Sequence, residues 1–241
     1  MIKVKAVLFD FYDTLVYGEN WEDFWKKALE RTVEYLNSLG LKVSVETFSE
    51  KFEEIRAELL RDLERTKGEL DIVYLFWKLL KEFGHTPAIT LLQRVIDLFY
   101  SIEVCSVKLY PDAIPTVEHF RRRGFKTAIV SNATARFEYI VKKYCLYRYF
   151  DILMASYKVM RPKPHPAIFS ETLRLLGVKP KEAVMVGDSY KADIAGAKRL
   201  GIRGILLNRS GSQGNIVYEK GLEPDAVIHS LNELIDLIEL L

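Results

Sequence analysis

Short apolar runs and amphipathic stretches alternate along much of this chain. The run from Val4 to Phe9 is β-branched and aromatic and ends at Asp10, which is typical of a buried parallel strand that stops at a polar site. Runs of the same kind occur at Lys126–Val130, Ile152–Ala155, Ala183–Val186, Gly204–Leu207 and Ala226–Ile228. Stretches with helical spacing separate or follow them, at Ala113–Arg123, Ala135–Tyr144, Pro166–Leu176, Ala192–Leu200 and from Leu231 onwards. This alternation predicts an α/β fold with a Rossmann-like, doubly wound parallel sheet.

The region after the first strand has a different pattern. Four helices are predicted there, at Trp21–Leu36, Thr47–Arg65, Leu70–Phe83 and Thr90–Val104, and no stretch between them resembles a strand. The segment Thr47-Phe48-Ser49-Glu50 resembles a capping box and is expected to start the second helix. The predicted organisation is therefore an α/β core made of residues 1–16 and 107–241, with an all-helical domain of residues 17–106 inserted into it.

Composition and charge exclude several classes of function. Apolar residues make up 49% of the 241 positions, which supports a sizeable core. The 35 basic and 33 acidic residues leave a net charge of +2, so neither a nucleic acid nor an anionic membrane is an expected partner. The two cysteines, Cys105 and Cys145, lie far apart and indicate no zinc site or disulfide framework. Without a leader-like or membrane-spanning apolar run, we expect a cytoplasmic protein, either a monomer or a homodimer.

Polar residues follow the predicted strands, and these residues carry the candidate chemistry. In open parallel sheets, ligands bind at the carboxyl ends of the strands. The residues found there are Asp10, Ser131, Asn132, Lys163 and Asp188. A carboxylate nucleophile, donors for phosphate oxygens and a second acid for a divalent cation are what phosphoryl transfer through an aspartyl-phosphate requires.

Four motifs in this order resemble those of the haloacid dehalogenase (HAD) superfamily. They are Asp10-Phe11-Tyr12-Asp13-Thr14-Leu15, Ser131-Asn132, Lys163-Pro164-His165-Pro166 and Gly187-Asp188-Ser189-Tyr190-Lys191-Ala192-Asp193. The resemblance implies that Asp10 is the nucleophile and that Thr14 belongs to the catalytic motif. It also implies that Mg²⁺ is held by Asp10, Asp188, Asp193 and the backbone carbonyl of Tyr12. The helical insertion is then expected to be a mobile cap.

Several of these residues also have a purely structural interpretation. Ser131 and Asn132 are candidate substrate-binding residues, but either one is also suited to capping the next helix. The Lys163 ammonium suits phosphate binding and neutralisation of Asp10. Asp193 either binds the metal or supports Asp188 through a hydrogen bond at the start of its helix. His165 is expected to be a helix N-cap and not a catalytic residue.

The first motif departs from the phosphatase pattern at Tyr12. The HAD resemblance implies that a phosphatase usually carries an aspartate at this position. HAD dehalogenases carry a tyrosine there and lack the Gly-Asp metal signature. Asp13 is the available substitute acid, although its position often serves loop geometry. The leading hypothesis is a Mg²⁺-dependent phosphohydrolase acting on small phosphorylated molecules. The alternatives are a metal-free 2-haloacid dehalogenase and a catalytically weak binding module.

Overall fold

The computed structural model describes residues 3–66, 70–211 and 217–239, and its backbone divides into two compact units. The α/β unit comprises Met1–Tyr17, Lys108–Phe137 and Val141–Leu241, and the helical unit comprises Gly18–Val107 with Glu138–Ile140. The strands are β1 (Ala6–Phe9), β2 (Val16–Gly18), β3 (Val107–Leu109), β4 (Lys126–Ser131), β5 (Ile152–Ala155), β6 (Ala183–Gly187), β7 (Arg203–Leu207) and β8 (Ala226–Ile228). The helices are α1 (Trp21–Ser38), α2 (Val45–Thr66), α3 (Ile72–Glu82), α4 (Ile89–Glu103), α5 (Ala113–Arg122), α6 (Arg136–Lys143), α7 (Ser156–Val159), α8 (Pro166–Leu176), α9 (Gly196–Lys198) and α10 (Leu231–Glu239).

Six parallel strands form the sheet of the α/β unit, in the order β5-β4-β1-β6-β7-β8. The central strand β1 pairs with β4 on one side and with β6 on the other, so that Ala6 lies opposite both Lys126 and Ala183. Along the chain, β4 and β5 first extend the sheet on one side of β1, and β6, β7 and β8 then extend it on the other side. The direction of the strand order therefore reverses next to β1, which is the topological switch point of the sheet. Ligands bind at such points in open α/β sheets. The predicted Rossmann-like parallel sheet is therefore confirmed.

One face of the sheet packs against α8 and α9. Alternate residues of the strands, such as Leu8, Val130 and Met185, are buried in one apolar cluster with Phe169 and Ala197. Residues of β1 and β6 are all buried, as expected for strands covered on both faces.

The helical unit has an aromatic core of its own. Phe52, Phe76 and Phe99 are fully buried there, with ring centroids 5.4 to 5.9 Å apart, and Trp25 meets Phe99 edge-on at 5.0 Å. Between α1 and α4, the described residues contain no strand, as the pattern predicted. In the part of the chain that the structure describes, none of the helices combines the length and apolarity needed to cross a bilayer.

Three local details differ from what the sequence pattern indicated. The second helix begins at Val45 and not at Thr47, because the Ser44 hydroxyl accepts a hydrogen bond from the Thr47 backbone N–H at 3.1 Å. The three-residue strands β2 and β3, which pair with each other, were not predicted. The helix expected at Ala192–Leu200 is instead a π-helix over Tyr190–Ala195 that continues into α9.

Candidate active site

The predicted site residues converge at the carboxyl edge of the sheet. Asp10 directly follows β1, and its backbone N–H donates to the Val186 carbonyl of β6 at 2.8 Å. Ser131 ends β4, and Asp188 follows β6. A cleft of about 220 Å³ opens at this edge. It is lined by Asp10, Tyr12, Ser131, Asn132, Lys163, Ser189, Ala192 and Asp193.

The Lys163 ammonium lies at the centre of the buried charges. Its Nζ donates to Asp10 Oδ1 at 2.5 Å, to Asp193 Oδ1 at 2.6 Å and to the Val130 carbonyl at 2.7 Å. All three donors of the ammonium are thus used, and the side chain is only 2% exposed. Burial alone lowers the pKa of Lys163, but the charges of Asp10 and Asp193 outweigh it, so the net pKa is raised. The charged form of Lys163 is therefore favoured, and its hydrogen bond fixes the orientation of Asp10.

The Asn132 side chain holds the backbone of Lys163. Its Nδ2 donates to the Lys163 carbonyl at 3.0 Å, and its Oδ1 accepts from the Lys163 N–H at 2.6 Å. This reciprocal pair joins the end of β4 to the segment that carries the lysine. The structure thus gives Asn132 a positioning contact in addition to its place in the cleft lining.

Asp193 connects Lys163 to the loop that carries Asp188. Its Oδ1 accepts from Lys163, and its Oδ2 accepts from the Ser189 backbone N–H at 3.0 Å. The π-helix that carries Asp193 begins after Ser189, whose hydroxyl accepts from the Ala192 N–H at 3.2 Å. Short π-helical segments recur at functional sites, where they re-aim side chains. Here the segment turns Asp193 into the buried charge cluster.

Three carboxylates form a candidate metal site. Asp10, Asp188 and Asp193 each offer an oxygen within 4.8 Å of the others. Burial raises the pKa of Asp188 to about 7, and the charges of Asp10 and Asp193 add to the effect. Burial and the charge of Asp10 also raise the pKa of Asp193, which Lys163 opposes. One ammonium does not neutralise three carboxylates, and hard oxygen ligands suit Mg²⁺, so the residues fit a divalent cation.

His165 has the structural role that the sequence predicted. It is the N-cap of α8, and its Nδ1 accepts a hydrogen bond from the Ala167 backbone N–H at 3.1 Å. Pro166 then occupies the first helical position, where its missing N–H carries no cost.

Comparison with known proteins identifies the family. The sequence pattern of the haloacid dehalogenase-like hydrolases matches residues 4–201. This chain belongs to that family. A glyceraldehyde 3-phosphate phosphatase from Methanopyrus kandleri is 31% identical over 98% of this chain and 97% of its own length.

Two solved structures are also similar to this chain. The structure of a HAD phosphatase from Thermococcus onnurineus is 30% identical, with a TM-score of 0.64 over 98% of both chains. That of a 2-haloacid dehalogenase from Pseudomonas syringae pv. Tomato DC3000 is 29% identical, with a TM-score of 0.77 over 98% of this chain and 99% of its own. Both kinds of HAD hydrolase are therefore similar to this chain along its whole length.

The turn after Asp10 carries Asp13 and Thr14, two residues of the first motif. Asp13 has a left-handed backbone with φ of 55°, and its N–H donates to the Val16 carbonyl at 2.7 Å. This geometry favours the loop interpretation of Asp13, because aspartate tolerates the left-handed region. Burial, followed by the charge of Asp10, raises the pKa of Asp13. Thr14 is fully buried, and its hydroxyl has no hydrogen-bond partner among the described residues.

Tyr12 is half-buried in the cleft wall and contacts an arginine that sequence analysis did not single out. The Arg136 guanidinium lies 5.5 Å from the Tyr12 ring centroid, and its Nη1 donates to the Tyr12 hydroxyl at 3.4 Å. Because Arg136 lies 124 positions from Tyr12, no local pattern indicates the contact.

Proposed function

We propose that this chain is a Mg²⁺-dependent phosphohydrolase that acts on small phosphorylated molecules through an aspartyl-phosphate on Asp10. The observation that carries the proposal is the cluster of Asp10, Asp188 and Asp193, of which Asp10 and Asp193 share the buried ammonium of Lys163. A nucleophilic carboxylate of fixed orientation next to excess negative charge is what phosphoryl transfer assisted by a divalent cation requires.

The proposed reaction on Asp10 has two steps. In the first, an Asp10 oxygen forms a bond to phosphorus while the bond from phosphorus to the leaving oxygen breaks, and that oxygen takes up a proton from solvent. In the second, water attacks phosphorus and gives up a proton to solvent, so that inorganic phosphate is released and the Asp10 carboxylate is restored. Lys163 holds Asp10 Oδ1, and Ser131 lines the same cleft, where its hydroxyl is suited to binding a phosphate oxygen. A bound Mg²⁺ would polarise the phosphoryl group and neutralise the acid cluster.

The proposed substrate class follows from the cleft and from the relatives. A volume of about 220 Å³ accommodates a phosphoryl group and a few carbon atoms. The relative from Methanopyrus kandleri is named for the phosphatase activity on a phosphorylated triose, glyceraldehyde 3-phosphate. We therefore place phosphorylated sugars and acids of three to five carbons first among the substrates to test.

A second candidate is a metal-free 2-haloacid dehalogenase. It is favoured by Tyr12 at the position of the phosphatase acid and by the similarity to a dehalogenase structure. The acid cluster argues against it, because a reaction that uses Asp10 alone has no need for the two further carboxylates, Asp188 and Asp193, beside it. A binding module without catalysis is the third alternative.

One assay series separates these functions. Release of phosphate from p-nitrophenyl phosphate is measured with Mg²⁺, with a chelator, and with the variants Asp10→Asn and Asp188→Ala. We expect activity with Mg²⁺, its loss with chelator, and no turnover by Asp10→Asn, because an amide of the same shape is not a nucleophile. Metal-independent halide release from 2-chloropropionate would select the dehalogenase, and neither activity would select the binding module.

The helical unit is proposed to act as the specificity-determining cap of the enzyme, because a covalent intermediate must be shielded and then released. A cytoplasmic location and a monomeric or homodimeric state remain predictions. Size-exclusion chromatography with light scattering measures the oligomeric state directly.

A further inference from the structure

Arg209 makes extensive polar contacts that the proposed chemistry does not yet use. It follows β7, and its side chain is only 17% exposed. Its Nη1 and Nη2 bind the two carboxylate oxygens of Asp112 at 3.0 and 2.8 Å, and Nη2 also donates to the Thr14 carbonyl at 2.7 Å. The guanidinium carbon lies 3.7 Å from the ring centroid of Tyr110.

The Thr14 carbonyl belongs to the turn that follows the nucleophile. Inside this turn, the backbone N–H groups of Leu15 and Val16 both donate to the Phe11 carbonyl, at 2.8 and 3.0 Å. From outside, the Tyr110 N–H donates to the Leu15 carbonyl at 3.0 Å. The Thr14 carbonyl is thus held by the Arg209 side chain. The next carbonyl of the turn, that of Leu15, is held by the backbone N–H of Tyr110, whose ring the Arg209 guanidinium covers.

Asp112 anchors the same contacts to the rest of the α/β unit. Besides Arg209, its Oδ2 accepts from the backbone N–H of Leu231, the first residue of α10, at 2.8 Å. A planar guanidinium can bind a carboxylate bidentately, donate to a carbonyl and cover an aromatic ring at once. A lysine at position 209 could not make all of these contacts.

We propose that Arg209 is a positioning residue of the phosphohydrolase: through the Thr14 carbonyl it fixes the turn that aims Asp10 and Tyr12 into the cleft. The inference rests on the proposed function for its catalytic consequence, but its structural part stands on the contacts alone. Displacement of a reacting group by about 1 Å costs on the order of 10²-fold in rate. The loss is therefore expected in kcat, while KM for a small aryl phosphate changes little.

The test compares Arg209→Lys, Asp112→Asn and the double variant of these two with Arg199→Gln. Arg199 binds both carboxylate oxygens of Glu219 at 2.8 and 2.7 Å in an exposed pair, so it controls for the loss of an arginine–carboxylate contact elsewhere. Each protein is assayed well below its unfolding temperature, so that the folded fraction is complete. Amide hydrogen exchange of Asp13, Leu15 and Val16 is followed by NMR in the same samples.

We expect Arg209→Lys to lower kcat about 10- to 100-fold with KM within a few-fold, and to speed exchange at these three amides but not in β1. Asp112→Asn should act in the same direction, less than additively with Arg209→Lys, because both changes disturb one set of contacts. Arg199→Gln should leave both measurements unchanged. Unchanged exchange in Arg209→Lys would overturn the positioning role whether or not the protein is a phosphatase. Faster exchange with unchanged kcat in an active enzyme would show that the turn does not need Arg209 for catalysis, and would overturn the catalytic part.

Discussion

The Asp193 carboxylate occupies the space that any side chain at position 187 would need: a Cβ built on Gly187 would lie 2.3 Å from Asp193 Oδ2. Because Asp193 binds both Lys163 and the Ser189 N–H, this close approach joins β6 to the charge cluster. Position 187 therefore requires glycine because a Cβ would clash with Asp193. The backbone itself would allow other residues, since its φ is not positive.

We predict that Gly187→Ala displaces Asp193 and lowers both activity and stability, with a loss of about 1 to 3 kcal/mol in the free energy of unfolding. Gly18→Ala is the matched control, because a Cβ there meets no atom within 4 Å and its φ is not positive. Urea unfolding and p-nitrophenyl phosphate turnover are measured for both. Wild-type behaviour of Gly187→Ala would show that Asp193 moves at no cost.

Lys163→Met should destabilise the protein strongly, because it leaves Asp10 and Asp193 buried without their shared cation. Removal of one partner of a buried ion pair costs about 3 to 5 kcal/mol. Lys5→Met removes a lysine from a pair with Glu182 in which the lysine is 57% exposed, and should cost at most about 1 kcal/mol. If chemical unfolding showed similar losses in the free energy of unfolding for the two variants, the Lys163 ammonium would not stabilise the cluster of Asp10 and Asp193.

The raised pKa of Asp188 predicts how stability changes with pH in the absence of metal. A carboxyl with a pKa of about 7 in the folded state stabilises the protein fully below its unfolded pKa. That contribution is lost as the pH rises through about 7. With chelator present, the wild type should therefore lose stability relative to Asp188→Asn as the pH rises from about 4, near the unfolded pKa of an aspartate, to about 7.

Added Mg²⁺ provides the complementary readout for the same pair of proteins. It should raise the unfolding temperature of the wild type at the upper end of this range more than that of Asp188→Asn, because the ion binds the folded state. Parallel pH profiles for the two proteins, with equal responses to Mg²⁺, would contradict the assignment of Asp188 to the cation site.

Much of the site could be predicted from the sequence because strand ends are locally encoded. Asp10, Ser131 and Asp188 directly end or follow apolar runs, and parallel pairing brings such ends to one edge. The contacts of Arg209 could not be predicted in this way, since Thr14 lies 195 positions and Asp112 lies 97 positions away. Only the folded sheet brings them together.

The sequence pattern also could not predict local geometry that depends on the contacts of a few atoms. The π-helix that aims Asp193 is six residues long, too short for its periodicity to differ from that of an α-helix. The start of α2 depends on which of two neighbouring hydroxyl residues, Ser44 or Thr47, captures a backbone N–H.

Tyr12 predicts a preference between substrate classes. General acid catalysis contributes about 10² to 10⁴ in rate and matters most for a basic leaving oxygen. Because tyrosine is a weak donor at neutral pH, alkyl phosphates should react much more slowly than aryl or acyl phosphates. Tyr12→Asp should raise turnover of alkyl phosphates more than that of p-nitrophenyl phosphate.

The variant Asp13→Asn tests the alternative explanation, in which Asp13 is the general acid. If the wild type turned over alkyl and aryl phosphates with equal efficiency, and Asp13→Asn lost the alkyl activity, Asp13 would be the general acid in spite of its loop geometry. We expect Asp13→Asn to keep the wild-type ratio, because asparagine also tolerates the left-handed backbone.

The most direct test of the central claim is to look for the phosphoryl group on Asp10 itself. The enzyme is mixed with Mg²⁺ and an excess of aryl phosphate, quenched in acid during turnover, digested, and analysed by mass spectrometry, with Asp10→Asn as the control. We expect the mass of one phosphoryl group on the wild-type peptide that contains Asp10, and none on the corresponding Asp10→Asn peptide. Phosphate release by the wild type with the label absent from Asp10, or with the label on Asp13 or Asp188, would contradict the account.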